Sequence, residues 1–479
     1  MGAVTRQPIF EIRARDSGSR ARAGTLHLSH GDVATPAFVP LATRGSVKTL
    51  EPRDVEALGY EMVLGNTFHL FLSPGAELMR ELGGLNRFMR WPRPIVTDSG
   101  GFQIFSMGHG GVADEIKGRR TTSNGASASN GSILAIEERG VRFRSYIDGA
   151  ERFLGPETSM EMQAAIGSDI ALVLDECTPF HSGYDYTARS MERTHRWLDR
   201  CLEWHAREGP AGQAVYAIVQ GGTFHDLRML STGAIAASAS DGVAIGGSLG
   251  QDKTQMYEVV DWTTAELERL APQRPRHLLG IGEIDDLIAG VRSGVDTFDC
   301  AMPTRLGRHG VALVPDPGGR WRLDLQKRRW READEPIVDG CGCPTCGGGF
   351  TRAYLHYLLR AGELTGLRLV TLHNLSFIAS VMADLRRGIE DGCLAEVADA
   401  LSAGAAPGAA GSTGVAGGTR VAGGTRVAGG TRVAGSTRVA GSTRVAGSTG
   451  VAGSTGVAGS TRVAGGTGAA PSTPPNAAR

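Results

Sequence analysis

Short apolar runs, each ending on a polar residue or a glycine, recur along the chain. They are P-A-F-V-P (36–40) before Leu41-Ala42-Thr43, E-M-V-L-G (61–65) before Asn66, and P-I-V-T (94–97) before Asp98. I-A-L-V-L (170–174) precedes Asp175, A-V-Y-A-I-V (214–219) precedes Gln220, and G-V-A-I (242–245) precedes Gly246-Gly247. H-L-L (277–279) and T-F (297–298) stop on Gly280 and Asp299. Helix-like segments, such as 156–166, 187–207 and 255–270, lie between most of them. A strand followed by a helix, repeated about eight times, predicts a parallel (β/α)8 TIM barrel whose working residues line the C-terminal strand ends. An open doubly wound sheet shares this alternation, and the count favours the barrel.

The pattern breaks in three places. Residues 108–132 turn small, polar and glycine-rich and read as a disordered-type insert. G-V-R-F-R-S-Y-I-D-G (140–149) then alternates as an exposed hairpin would. From about Ala403 the composition collapses into nine consecutive hexapeptides of the V-A-G-[GS]-T-[RG] type, Val415 to Gly468. One valine per hexapeptide cannot offset the ordering entropy of so many glycines, so a disordered tail is expected rather than a solenoid. The expected division is a catalytic barrel over 1–310, a metal-binding subdomain with closing helices over 311–402, and the repeat tail over 403–479.

Charge narrows the partners. Fifty Lys+Arg balance fifty Asp+Glu in the 479 residues, so a polyanion must be met by local basic surface. The N-terminus lacks the basic-then-apolar order of a secretory signal, and no uninterrupted apolar run approaches membrane-spanning length. Three of the seven cysteines crowd into C-G-C-P-T-C, which suits a metal in a reducing compartment better than a disulfide framework. A cytoplasmic protein without a membrane partner is expected.

The candidate chemistry sits at strand ends. In G-V-D-T-F-D-C-A-M-P-T-R-L-G-R (294–308), Asp299 closes an apolar run, and Pro303 forbids further strand and sends the chain into a loop carrying Arg305 and Arg308. In T-D-S-G-G-F-Q (97–103), Asp98 and Ser99 precede Gly100 and Gly101, which admit close backbone approach, and Phe102 can cover a flat ring. Asp175 and Gln220 are placed alike. Such a mouth offers hydrogen-bonding edges for a planar heterocycle, and its paired carboxylates point to chemistry at an anomeric carbon.

T-D-S-G-G-F-Q, D-E-C-T, V-Q-G-G, I-G-G, F-D-C-A-M-P-T-R and C-x-C-x2-C with a later His-Asn follow one another in the order of the tRNA-guanine transglycosylase family, which the chain resembles from about Phe10 to Leu401. The resemblance implies a (β/α)8 barrel with a zinc-bearing insert, acting on the wobble guanine of tRNAs for Asp, Asn, His and Tyr. That guanine is exchanged for 7-aminomethyl-7-deazaguanine, the queuosine precursor. By the same resemblance Asp299 is the nucleophile and Asp98 the general acid/base. Asp175, Gln220 and the Gly247 backbone read the base, Phe102 and Leu279 sandwich it, and Asp98, Ser99, Gly100 and Gly101 line its pocket. Gly280, Ile281, Gly282, Thr304, Arg305 and Arg308 hold the anticodon loop, and the enzyme works as a homodimer.

Cys341, Cys343 and Cys346 form a thiolate cluster typical of structural zinc. The family match makes His373 the fourth ligand, with His356 as its competitor. Upstream, R-W-R-L-D-L-Q-K-R-R-W-R (320–331) offers arginines for RNA and tryptophans expected to pack inward. The chain departs from the common bacterial pattern at S-L-G-Q-D-K (248–253), where L-A-V-G-E is usual, and at His277, where a tyrosine often stands. Those departures bear on base choice and leave open a relative that takes another 7-deazaguanine or acts on DNA. A non-catalytic, zinc-containing RNA-binding subunit is the alternative from a different class, and the presence of both Asp98 and Asp299 argues against it.

Overall fold

The structure, a computed structural model, describes residues 9–108 and 132–408. Nearly all of the 108–132 insert and all of the hexapeptide repeats lie outside the described residues. The central sheet is parallel and closes on itself. Its strands are Ala37–Val39, Leu41–Ala42, Val63–Gly65, Ile95–Thr97, Ile170–Leu172, Ala214–Val219, Gly242–Ile245, Arg276–Leu278 and Thr297–Asp299. The first two are halves of one extended stretch parted by Pro40, which has no N–H to give a neighbour. Ala37–Val39 pairs with Thr297–Asp299, and Leu41–Ala42 pairs with Val63–Gly65. The Pro40 carbonyl still accepts from Leu64 N at 3.0 Å. Counting those halves as one stave gives the eight-stave barrel that the strand–helix alternation predicts.

The staves are apolar on both faces because helices cover them outside and each other's side chains fill them inside. Ala214–Val219 is buried at every position. The helices Pro156–Ile166, Tyr184–Glu208 and Lys253–Leu270 fall where the polar–apolar period places them. Two local expectations need correction. The segment after Asp299 is not a loop: Met302–Arg308 is a helix with proline in its first turn, where a missing N–H costs nothing and the fixed φ suits the helix. The predicted exposed hairpin is instead the centre of a three-stranded sheet, Gly140–Arg144 between Ile133–Glu137 and Glu151–Leu154. Val141 and Phe143 are buried, the latter against Phe68 with ring centroids 5.4 Å apart.

An antiparallel sheet of Phe10–Arg15, Arg22–Leu28 and Gly31–Thr35 closes the N-terminal end of the barrel. Its contacts fall on residues just upstream of staves. His30 N donates to Asp169 Oδ1 at 2.9 Å, and Arg22 meets Asp296 through two bonds of 2.8 and 2.6 Å. Arg22 also donates to the carbonyls of Pro272 and Arg274, and Asp296 Oδ2 accepts from Arg276 N. The sheet thus covers this end of the barrel and ties it to the stave starts.

C-terminal to the barrel, Val311–Leu313 pairs with Arg322–Asp324, and the helices Arg352–Ala361, Leu364–Glu390 and Leu394–Ser402 follow. By length and composition Leu364–Glu390 could cross a membrane, but most of its apolar window is buried inside the fold. That makes it a core helix here. Tyr60 Oη donates to its Leu375 carbonyl at 2.8 Å.

Asp296→Ala would strand the fully buried Arg22 guanidinium without a countercharge. The expected loss is about 3–5 kcal/mol of unfolding free energy, read as a lower urea midpoint at unchanged slope. An unmoved midpoint would show that this pair does not brace the barrel floor.

Candidate active site and metal centre

Asp98 follows the stave Ile95–Thr97, and Asp299 ends the stave Thr297–Asp299. Thr67 N donates to Asp98 Oδ1 at 2.8 Å, and Gln103 Nε2 donates to Oδ2 at 3.2 Å. Asn66 Nδ2 also bonds Oδ2 while its own Oδ1 caps the next helix through His69 N. Burial pushes the Asp98 carboxyl up to about 7, with the Thr67 N–H opposing and the charge of Asp299 adding to the rise. The two carboxylates are therefore close enough for the charge of Asp299 to act on Asp98. Asp299 Oδ1 accepts from Gly280 N at 2.9 Å and lies 3.2 Å from His277 Nε2.

A polar pocket is built beside them from neighbouring stave ends. Asp175 Oδ2 accepts from Gln220 Nε2 at 2.6 Å, and its Oδ1 accepts from Ser99 Oγ at 3.1 Å. Burial raises the Asp175 carboxyl to about 6, and the bonds from Ser99 and Gln220 oppose the rise. Glycine is needed at two pocket positions. A Cβ on Gly101 would sit 2.7 Å from the Asp175 carbonyl, and one on Gly247, whose φ is +78°, would sit 2.2 Å from Gln220 Oε1. Phe102 and Leu279 are half-buried and pack on the same core, and Leu279 lies beside Gly246. Carboxylate acceptors, an amide and a backbone turn thus lie at neighbouring stave ends together with two half-buried apolar side chains, groups that suit a flat polar ring.

Cys341, Cys343, Cys346 and His373 form a cluster that could hold a metal ion, and their ligand atoms all lie within 4.8 Å of one another. His373 Nδ1 is 3.9, 3.3 and 3.5 Å from the three sulfurs in that order. Its Nε2 donates to the Leu313 carbonyl at 2.7 Å, which fixes the tautomer and turns the Nδ1 lone pair toward the thiolates. His356, the competing candidate, instead bonds the Leu325 carbonyl. Three sulfurs and one imidazole at tetrahedral-edge spacing can hold one metal ion, with no protein position left open.

Comparison with known proteins agrees with this geometry. The family described as queuine tRNA-ribosyltransferase matches residues 16–406. The queuine tRNA-ribosyltransferase of Roseiflexus sp. (strain RS-1) is 49% identical over 397 residues, covering 81% of this chain and 97% of that relative. Its namesakes in Pelotomaculum thermopropionicum and Moorella thermoacetica are 42% and 43% identical, over 81% and 83% of this chain and 96% and 97% of their own lengths. The chain belongs to the queuine tRNA-ribosyltransferase family. It is an enzyme.

Several parts of this candidate site were not singled out from sequence. Asn66, Thr67 and Gln103 hold Asp98, and nothing marks Asn66 or Thr67 beyond their place at a stave end. Arg228 is wholly buried on the helix His225–Ala237 and gathers the carbonyls of Val219, Gly222, Gly246 and Ser248 at 2.7 to 3.1 Å. Burial lowers it to about 10, and its bonds pin the tips that carry Gln220 and Gly247.

The rim is basic. Partial burial, then Arg308 and Arg44, lower the Lys48 ammonium from its ordinary range, so these three cations lie close together. Burial with Arg44 and Lys48 nearby takes His69 down to about 4. Arg305 is exposed on the same helix as Arg308, and Thr304 is buried. Ile281 and Gly282 are buried below this rim, where a Cβ on Gly282 would meet Cys300 Cβ at 2.6 Å. In the 320–331 segment Trp321 packs inward as expected, whereas Trp330 is half-buried under the Arg329 and Arg352 guanidiniums. Arg322 is ion-paired to Glu283 at 2.6 Å, while Arg320, Arg328, Arg329 and Arg331 are exposed.

Metal content is open to direct measurement. Native mass spectrometry is expected to find one metal ion per chain, and Cys343→Ser or exhaustive chelation should remove it and lower the melting temperature. A chain that melts identically with and without chelator would exclude a structural metal.

Proposed function

We propose that this enzyme, a tRNA-guanine transglycosylase by family, exchanges the wobble guanine of tRNAs for Asp, Asn, His and Tyr for 7-aminomethyl-7-deazaguanine in queuosine biosynthesis. The exchange passes through a covalent Asp299-ribosyl intermediate. The observation that carries this reading is the pair of carboxylates in one mouth, one raised to about 7 and the other held by Gly280 N and His277. Environments that differ in this way suit one group to moving protons and the other to attack.

In the first half, an Asp299 oxygen bonds to the ribose C1′ as the C1′–N9 bond breaks, and the departing guanine takes the Asp98 proton. In the second half the incoming base gives its N9 proton to Asp98 and bonds C1′, and the ester electron pair returns to Asp299. Two displacements at one carbon retain its configuration. The Asp175 carboxylate suits the N1–H and exocyclic N–H of guanine, and Gln220 and the Gly247 N–H suit its O6, with Phe102 and Leu279 on the ring faces. The shortened Ser248–Lys253 segment makes choice among 7-deazaguanines the finer question. The target base must be unstacked to enter, so an anticodon loop is the fitting substrate. The cations of Arg44, Lys48, Arg305 and Arg308 suit its phosphates, with Gly280, Ile281, Gly282 and Thr304 supplying the surface below them.

The metal is read as zinc, closed and structural, held by Cys341, Cys343, Cys346 and His373. The barrel over 1–310 is assigned to catalysis and 311–402 to the zinc subdomain. A cytoplasmic homodimer completes the reading, with exposed Tyr354 and Tyr357, on the helix beyond the metal cluster, as candidates for its interface.

Labelled guanine should enter tRNA in the presence of the pure protein, and absence of exchange would favour an RNA-binding subunit. Asp299→Asn is expected to abolish denaturant-stable capture of tRNA while leaving its affinity within about threefold; capture by the variant would remove Asp299 from the nucleophile's place. Asp98 must be protonated to release guanine, so first-half rates should fall about tenfold per pH unit above about 7. A rate flat from pH 6 to 9 would take the acid's part from Asp98.

A further inference from the structure

We propose that His277 is a positioning residue for the nucleophile, and that with Gly280 it selects which oxygen of Asp299 attacks. The inference rests on the exchange reading above. His277 lies on the stave Arg276–Leu278, paired with Thr297 in the adjacent stave, and is buried. Its ring bridges two residues of that neighbour, with Nδ1 2.9 Å from Thr297 Oγ1 and Nε2 3.2 Å from Asp299 Oδ1.

A carboxylate oxygen only accepts, so Nε2 must carry the hydrogen, and in the neutral ring Nδ1 then accepts from the Thr297 hydroxyl. The hydroxyl thereby sets the tautomer in which the ring can serve Asp299. Gly280 N donates to that same Oδ1 at 2.9 Å. Both donors converge on Oδ1 and neither engages Oδ2, so Oδ2 is the oxygen left to meet C1′. When Oδ2 bonds C1′ and the pair of the C1′–N9 bond leaves on guanine, Oδ1 becomes the carbonyl oxygen of the ester. It can keep both hydrogen bonds throughout. The carboxylate need not turn between the ionic and the covalent state, so its orientation is set before the sugar arrives.

A histidine that merely fills space would also be buried and bonded to Thr297, and the two roles part on which side-chain nitrogen matters. Glutamine can place its Nε2 donor where the Nε2 of histidine stands, whereas the shorter asparagine reaches only toward Thr297. The experiment measures single-turnover formation of the tRNA adduct at saturating tRNA, with guanine KM and melting temperature, for wild type, His277→Gln, His277→Asn, His277→Phe, Thr297→Val and the Phe/Val double variant.

The expected result is an adduct rate lowered about 30- to 100-fold by Asn and by Phe, recovered to within about tenfold of wild type by Gln, with guanine KM within about twofold throughout. Thr297→Val should cost less than Phe and add nothing to it in the double variant, because both act through one ring. If Asn and Phe form the adduct as fast as wild type, or if Gln loses as much as Asn, the inference is overturned while the exchange reading stands. If the wild type forms no adduct, or Asp299→Asn still forms one, the exchange reading fails and this inference fails with it. If Phe does not fold, the comparison of Gln with Asn decides alone.

Discussion

The burial of the Asp98 carboxyl, within reach of the charge of Asp299, is the constraint on which this end of the barrel depends. Burial penalises a charged carboxylate, a nearby negative charge adds to the penalty, and Asp98 and Asp299 differ in what surrounds each. Asp98 sits among Thr67, Asn66 and Gln103 and still titrates near neutrality, because burial outweighs those donors. Asp299 is held at one oxygen by a backbone amide and a histidine. No single element could make this arrangement. It needs staves distant in sequence to end at the same height, which the closed barrel provides.

Pocket rigidity comes from polar groups spent on the backbone. Arg228 reaches the carbonyls of four residues and ties the tips after two staves to each other. A buried guanidinium is unfavourable unless its donors are used, and here they hold Gln220 and Gly247 in place. Gln163 does similar work lower down, bonding Thr97 and both backbone groups of Leu172. The opposite end is braced by the buried Arg22–Asp296 pair.

The metal centre also reaches the mouth. His373 and Asn374 are adjacent on the helix Leu364–Glu390. The first faces the thiolates, and the second donates to the carbonyls of Pro303 and Val311 and accepts from Leu313 N. Pro303 lies in the helix that carries Arg305 and Arg308, and Gly307 lets that helix approach Thr371, where a Cβ would come within 2.5 Å of Oγ1. Fixing His373 with a metal therefore fixes a surface of the rim.

The sequence by itself determined the strand–helix alternation, the stave positions to within a few residues, the three thiolates and the polar residues at stave ends. These are signals of local period and spacing, which neighbouring residues carry directly. Even there local reading misjudged the segment after Asp299, since Pro303 ends a strand and begins a helix equally well. Only the tertiary structure decided that Asp98 and Asp299 lie within electrostatic reach of each other, that His373 and not His356 meets the cysteines, and that His277 touches Asp299. It also decided that Arg228 is spent on the carbonyls of four residues, and that Val141 and Phe143 face inward. Each of these depends on which distant stave or helix lies alongside, and hence on barrel closure and register. A chain's local pattern limits those outcomes without choosing among them.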